Sequence, residues 1–253
     1  MYAALTHKKQ HLDRHRPLAP EIIDNLGRWL RVELTYTSNA IEGNTLTRQE
    51  TALVLEKGLT VGGKTLVEHL EATNHARALD WIYTQVTRQP STLSSQDILY
   101  LHTMILKGIQ DPHAGCYRNV PVRISGSMVI FPNPRKVPDL MAEFVAWLTH
   151  SKDLHPVALA AEAHYKLVTI HPFIDGNGRT ARLLMNLILL MSGYPPAIIH
   201  TADRLHYLNT LEKAQLGGST EDFFTFIARA VDQSLDIYLD AVANSIDEDK
   251  KTP

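Results

Sequence analysis

Residues His171-Pro172-Phe173-Ile174-Asp175-Gly176-Asn177-Gly178-Arg179-Thr180-Ala181-Arg182 carry the densest chemistry in this sequence. An apolar helical run ends near Ile170, and Pro172 breaks it. Gly176-Asn177-Gly178 lets the backbone turn left-handed and gather its N–H groups into a nest for an anion. A helix opens directly afterwards, and helix N-termini favour phosphate. Arg179 and Arg182 fall in its first turn, where a cation opposes the macrodipole by about 0.3–1 kcal/mol. A polyphosphate bound at the same end removes that conflict, and the guanidinium fork suits its oxygens. Asp175 supplies a hard oxygen of the kind that magnesium shares with substrate phosphates. His171 is the nearest candidate general base, since an ordinary imidazole titrates at about 6.5. Taken singly, each residue has an ordinary reading: a surface histidine, a loop, a solvated helix face, a turn aspartate. Their occurrence together points to a phosphate site.

Outward from this stretch the pattern is helical. Ile22, Ile23, Leu26, Trp29, Leu30 and Leu34 recur at helical spacing. Thr47 with Glu50 reads as a capping box, and Gly58 as the stop of the helix it opens. Further helices are expected over about 66–86, from Ser94 or Ser95 to Gly108, and over 138–149, 156–170, 179–192, 202–215 and 220–243. Val120, Val122 and Ile124 alternate with polar residues ahead of Gly126, which predicts a small β-hairpin within 117–131. The expected fold is therefore all-α with one small hairpin. Residues 1–60 are read as an N-terminal helical segment, 61–245 as the core, and 246–253 as a polar, flexible tail.

The chain of 253 residues is 44% hydrophobic and 21% charged, as in ordinary globular proteins. A formal net charge of −2 creates no global field for nucleic acid or a membrane surface. Cys116 is the single cysteine, so no internal disulfide forms. The opening MYAALTHKKQHLDRHRPLAP lacks the apolar core of a signal peptide, and a cytoplasmic location is expected.

The motif resembles the signature of the Fic family, H-P-F-x-[D/E]-G-N-G-R-x-x-R, at every specified position. Gly115-Cys116-Tyr117-Arg118, the segment through Gly126, and Phe131-Pro132-Asn133-Pro134 resemble the family's flap. Glu68–Ala76, Leu183–Asn186 and Gly193–Pro196 also fit. The resemblance implies a Fic-type helical domain that moves AMP from ATP to a Tyr, Ser or Thr hydroxyl of a protein, the chain itself included. His171 would be the base and Asp175 the magnesium ligand. The backbone of Gly176, Asn177 and Gly178, with the Asn177 side chain, would cradle the phosphates. Arg179 would hold the β-phosphate and Arg182 the γ-phosphate. Tyr207 and Gln215 would lie on the nucleotide-binding helix, with Gln215 where family members often place an adenine-binding Asn. Flap residues Ile124, Ser125, Gly126, Ser127, Met128 and Val129 would dock the target.

A second stretch, Ser38-Asn39-Ala40-Ile41-Glu42-Gly43-Asn44, resembles the inhibitory pattern [S/T]-x-x-x-E-[G/N] of regulated family members. It implies that Ser38 and Glu42 belong to an inhibitory motif in which Glu42 pairs with Arg182 where the γ-phosphate belongs. Gly178 argues against the phosphotransferase branch of the family, which carries Lys there. Removal of AMP from modified proteins, transfer of another nucleotide, and a non-catalytic nucleotide-sensing module are the alternatives. The last predicts loss of His171 or Asp175, and both are present. A homodimer is left open.

Overall fold

The computed structural model describes residues 1–249, with side chains described from 1 to 244. Ten α-helices follow in order: α1 Tyr2–Asp13, α2 Pro20–Ile41, α3 Arg48–Lys57, α4 Leu66–Thr84, α5 Ser95–Leu106, α6 Val137–His150, α7 Pro156–Ile170, α8 Asn177–Met191, α9 Arg204–Gln215 and α10 Glu221–Asp249. The expected capping box at Thr47 is present, and two further ones occur. Thr47 and Glu50 open α3, Thr65 and Glu68 open α4, and Ser94 and Asp97 open α5. Each satisfies two otherwise orphaned N–H groups. Gly58 ends α3 in the left-handed region at φ 63.

The centre of the fold is α8. Nearly every side chain from Asn177 to Leu189 is buried, so this helix is enclosed on all sides rather than amphipathic. Asn186 survives there because its amide both donates to and accepts from the Ala197 backbone, at 3.3 and 2.9 Å. Helices α7, α4 and α5 pack round α8, and α2 lies across α4. No helix among the described residues is long and apolar enough to cross a membrane.

Helix α1 falls within the expected N-terminal helical segment, although its apolar positions follow no clear period. It is held by α10, where Lys8 bridges Asp232 and Asp236 at 2.7 and 2.8 Å, and by the burial of Leu5 and Leu12. Residues 246–249 belong to α10 rather than to a tail, and 250–253 lie outside the described residues. The predicted hairpin is absent: no strand occurs among the described residues. Residues 117–133 run as an irregular loop with a turn at Gly126, φ 83. Pro121 and Pro132 withhold N–H donors. Carbonyls that a partner strand would engage are taken by side chains instead: Val120 and Pro132 by Arg118, Val129 by Arg123. The expected inward set Val120 and Ile124 is exposed, at 46% and 47%, and alternation in burial occurs only further along. Met128 and Ile130 face solvent at 78% and 74% exposure, while Val129 and Phe131 point inward.

Three histidines, His75, His102 and His164, are buried in this core. Burial pushes His75 and His164 down to about 3, with the Arg182 charge adding to it. His102 falls to about 4, also by burial, against the opposing pull of the Asp175 carbonyl. An unfolded imidazole takes its proton at about 6.5. As pH drops below that value the unfolded chain gains protons that the folded chain refuses. Stability is therefore expected to be full above pH 6.5 and to fall progressively toward pH 4. Urea midpoints measured across this window check it, and a flat profile would show that these imidazoles are not neutral in the fold.

Candidate active site

Helix α7 ends at Ile170, and His171 enters the left-handed region at φ 51. It is the single non-glycine residue with positive φ among those described. Holding such a residue costs about 1–3 kcal/mol, so its surroundings must enforce it. Its N–H donates to Leu167 O at 2.9 Å, and its carbonyl accepts from Arg118 Nε at 2.7 Å. Pro172 O accepts from the Arg118 N–H at 2.8 Å. Phe173 is fully buried and stacks on His102, centroids 3.6 Å apart. Gly176 N-caps α8 at φ 75, and a Cβ there would meet the His102 ring and Ile105 at 3.3 Å.

The Asn177 side chain is engaged within the loop. Its Oδ1 accepts from Phe173 N and its Nδ2 donates to Phe173 O, both at 2.9 Å. The side chain clamps the loop onto Phe173.

The His171 ring stacks on Phe131, centroids 3.9 Å apart. Its Nδ1 lies 3.3 Å from Val168 O. A carbonyl only accepts, so Nδ1 carries the hydrogen and Nε2 keeps a free lone pair. Burial pushes the imidazole down to about 4, and the Arg118 charge adds to this. The Val168 carbonyl, Glu42 and Asp175 pull the other way. The ring is a neutral base throughout the physiological range.

The Ser38–Asn44 stretch and the His171–Arg182 stretch meet. Arg182 Nη2 donates to Glu42 Oε1 at 2.6 Å and to Ser38 O at 2.9 Å, and Nε donates to Ser38 Oγ at 3.0 Å. Glu42 lies 140 residues upstream in sequence. Burial alone would raise its pKa, but Arg182, backed by Arg179 and Arg204, outweighs this and holds the carboxyl below its ordinary range. A Cβ at Gly178 would collide with Glu42 Oε1, so glycine is what lets the carboxylate approach. Arg179 Nη1 donates to Glu71 Oε1 at 2.7 Å, while Glu71 Oε2 accepts from Asn44 Nδ2 at 2.9 Å. Glu71 escaped the residue-by-residue reading. It lies in a stretch already recognised as family-like, but nothing in its spacing signals an arginine partner far along the chain.

Asp175 offers one carboxylate, 47% exposed, at the mouth of the loop. Its Oδ1 accepts from Gly176 N at 2.6 Å, and its Oδ2 lies 3.5 Å from Arg179 Nη2. Among the described residues no group of three or more His, Cys, Asp or Glu side chains could hold a metal. One hard oxygen beside an anion nest suits magnesium that arrives on substrate phosphates.

Tyr207 and Gln215, both on α9, are engaged within the fold. Tyr207 is 1% exposed. Its hydroxyl stands between Arg182 Nη1 at 3.5 Å and His164 Nε2 at 2.8 Å, so it backs Arg182 from behind. Gln215 Nε2 donates to Val168 O at 3.2 Å, the same carbonyl that fixes His171. Glu212 was missed. Its Oε1 accepts from Ser127 Oγ at 2.7 Å and Met128 N at 3.0 Å, tying the tip of the flap to α9.

The fold and the loop define a class: a helical protein with a histidine and a glycine-bearing loop between two core helices, two arginines in the first turns of the second helix, and a carboxylate of its own on the second arginine. The Fic/DOC family model matches residues 92–189. A protein adenylyltransferase Fic from Nematostella vectensis is 41% identical over 207 residues, 81% of this chain and 48% of that protein. The structure of a fragment of Fic-1 from C. elegans superposes with TM-score 0.88 at 31% identity, covering 96% of this chain and 72% of that one. A Fic domain containing signaling protein from Bacteroides thetaiotaomicron superposes with TM-score 0.85 at 31% identity, covering 96% and 98%. The chain belongs to the Fic/DOC family. It spans less than half the length of the curated relatives it matches.

Proposed function

We propose that this chain is a protein adenylyltransferase held in check by Glu42. The observation that carries this reading is the Arg182–Glu42 ion pair of 2.6 Å, set beside a loop whose histidine is a neutral base. The curated relatives bear the same activity in their names. A carboxylate and a phosphate compete for one guanidinium fork, so the pair marks where a γ-phosphate would sit.

His171 Nε2 takes the proton of a target Tyr, Ser or Thr hydroxyl. The freed oxygen attacks the α-phosphorus of ATP, the bond to the β-phosphate oxygen breaks, and pyrophosphate leaves. The loop N–H groups hold the α-phosphate, Arg179 the β-phosphate and Arg182 the γ-phosphate. Magnesium, held by Asp175 and the phosphates, would neutralise charge on the leaving group. Rate in such transfers comes from positioning and charge stabilisation.

Labelled ATP incubated with the Glu42→Gly chain and cell lysate tests the activity, with His171→Ala as the blank. No label above the blank would refute it.

The flap edge at Ile130 is the docking site for an extended target segment, paired main chain to main chain, since Met128 N and Val129 O are already engaged by Glu212 and Arg123. Ile130→Pro removes a donor from that edge. It is expected to cut transfer to a protein target about tenfold, since one buried hydrogen bond and its register are lost, with ATP affinity unchanged. Equal loss of both would mean general disruption rather than lost docking.

A further inference from the structure

Arg118 is an unusual residue to bury. It is 2% exposed, and among the described residues no carboxylate lies within ion-pair distance of it. Burying a guanidinium without a counter-charge is costly. Burial accordingly pushes its pKa down. Its donors go to three main-chain carbonyls instead: His171 O at 2.7 Å, Pro132 O at 2.7 Å and Val120 O at 3.2 Å. Val120 and Pro132 are the two ends of the flap, and His171 is the peptide that carries the base. Phe131, next to Pro132, stacks on the His171 ring. A loop that needed only to be stable could be fastened by apolar packing. A rigid planar fork reaching three carbonyls fixes their relative positions.

We propose that Arg118 is a positioning residue for transfer, locking both ends of the flap to the His171 peptide so that a docked target hydroxyl arrives in register with Nε2. The inference rests on the adenylyltransferase reading given above. Arg118 touches neither nucleotide nor reacting atoms. Its effect passes through the flap backbone and through the left-handed conformation of His171.

In the Glu42→Gly chain, Arg118→Gln is expected to slow AMP incorporation into the chain itself about 100-fold at saturating ATP, the loss that a displacement of about 1 Å produces. ATP affinity, measured by isothermal titration, should stay within a few fold, because the loop N–H groups, Arg179 and Arg182 are untouched. Arg118→Lys keeps the charge but has no fork, so it should recover only a small part of the rate. Hydrogen exchange should quicken at residues 120–132 and 171–173 and stay unchanged in α8. Transfer within a few fold of the parent would overturn the proposal. So would a parallel fall in ATP affinity, or faster exchange throughout the core, either of which marks a residue that merely holds the fold. If the Glu42→Gly parent transfers no AMP, the adenylyltransferase reading fails on its own. The exchange pattern then decides: acceleration confined to the flap and the His171 peptide supports the lock, and an unchanged pattern refutes it.

Discussion

His171→Ala, made in the Glu42→Gly chain, is expected to reduce AMP transfer about 10²–10⁴-fold, the range a positioned general base supplies. ATP affinity should change by no more than a few fold. The imidazole lies against Phe131 and Val168. His171 is kept neutral by burial, at about 4. The acidic limb of the pH–rate profile should therefore fall well below the 6.5 of a free imidazole. Glu42 raises that value in the resting chain, so the Glu42→Gly profile should shift further toward acid. Near-normal transfer by His171→Ala would remove the residue from the mechanism.

Glu42→Gly alone is expected to raise AMP transfer, self-modification included, by one to two orders of magnitude. The carboxylate gives Arg182 a charge-assisted hydrogen bond of 2.6 Å. Such a bond is worth about 1.5–3 kcal/mol, and about 1.4 kcal/mol is tenfold in an equilibrium constant. The γ-phosphate must displace it before the chain of phosphates can lie correctly. Arg182→Ala should not reproduce the activation, because it removes the phosphate's own partner. Rates of wild type, Glu42→Gly and Glu42→Gly/Arg182→Ala are compared at saturating magnesium. Equal rates for the first two would end the inhibitory reading. Undiminished activation in the double variant would keep Glu42 as an inhibitor but exonerate Arg182. Ser38 also holds Arg182, through its hydroxyl and its carbonyl. Some restraint should therefore persist after Glu42 is gone, which caps the gain.

The sequence by itself determined what is local. Capping at Thr47 and Ser94, the stop at Gly58, and the break between Ile170 and Asn177 depend on residues within a few positions of each other. Their physics is written in the chain's own spacing. The link from Glu42 to Arg182 was reached through family resemblance rather than through spacing, since 140 residues separate them. Tertiary structure decided the rest. Alternation at 120–131 specifies an extended backbone but cannot specify a partner. Arg118 and Arg123 took the carbonyls that a second strand needed. Asn177 and Tyr207 carry polar groups suited to a nucleotide, yet packing turned one onto Phe173 and the other behind Arg182. Glu71 meets Arg179, and Glu212 meets the flap, across 108 and 85 residues. A hydrogen bond is a short-range interaction of only a few ångströms. Which groups share it is settled by how the helices pack, and no local pattern records that.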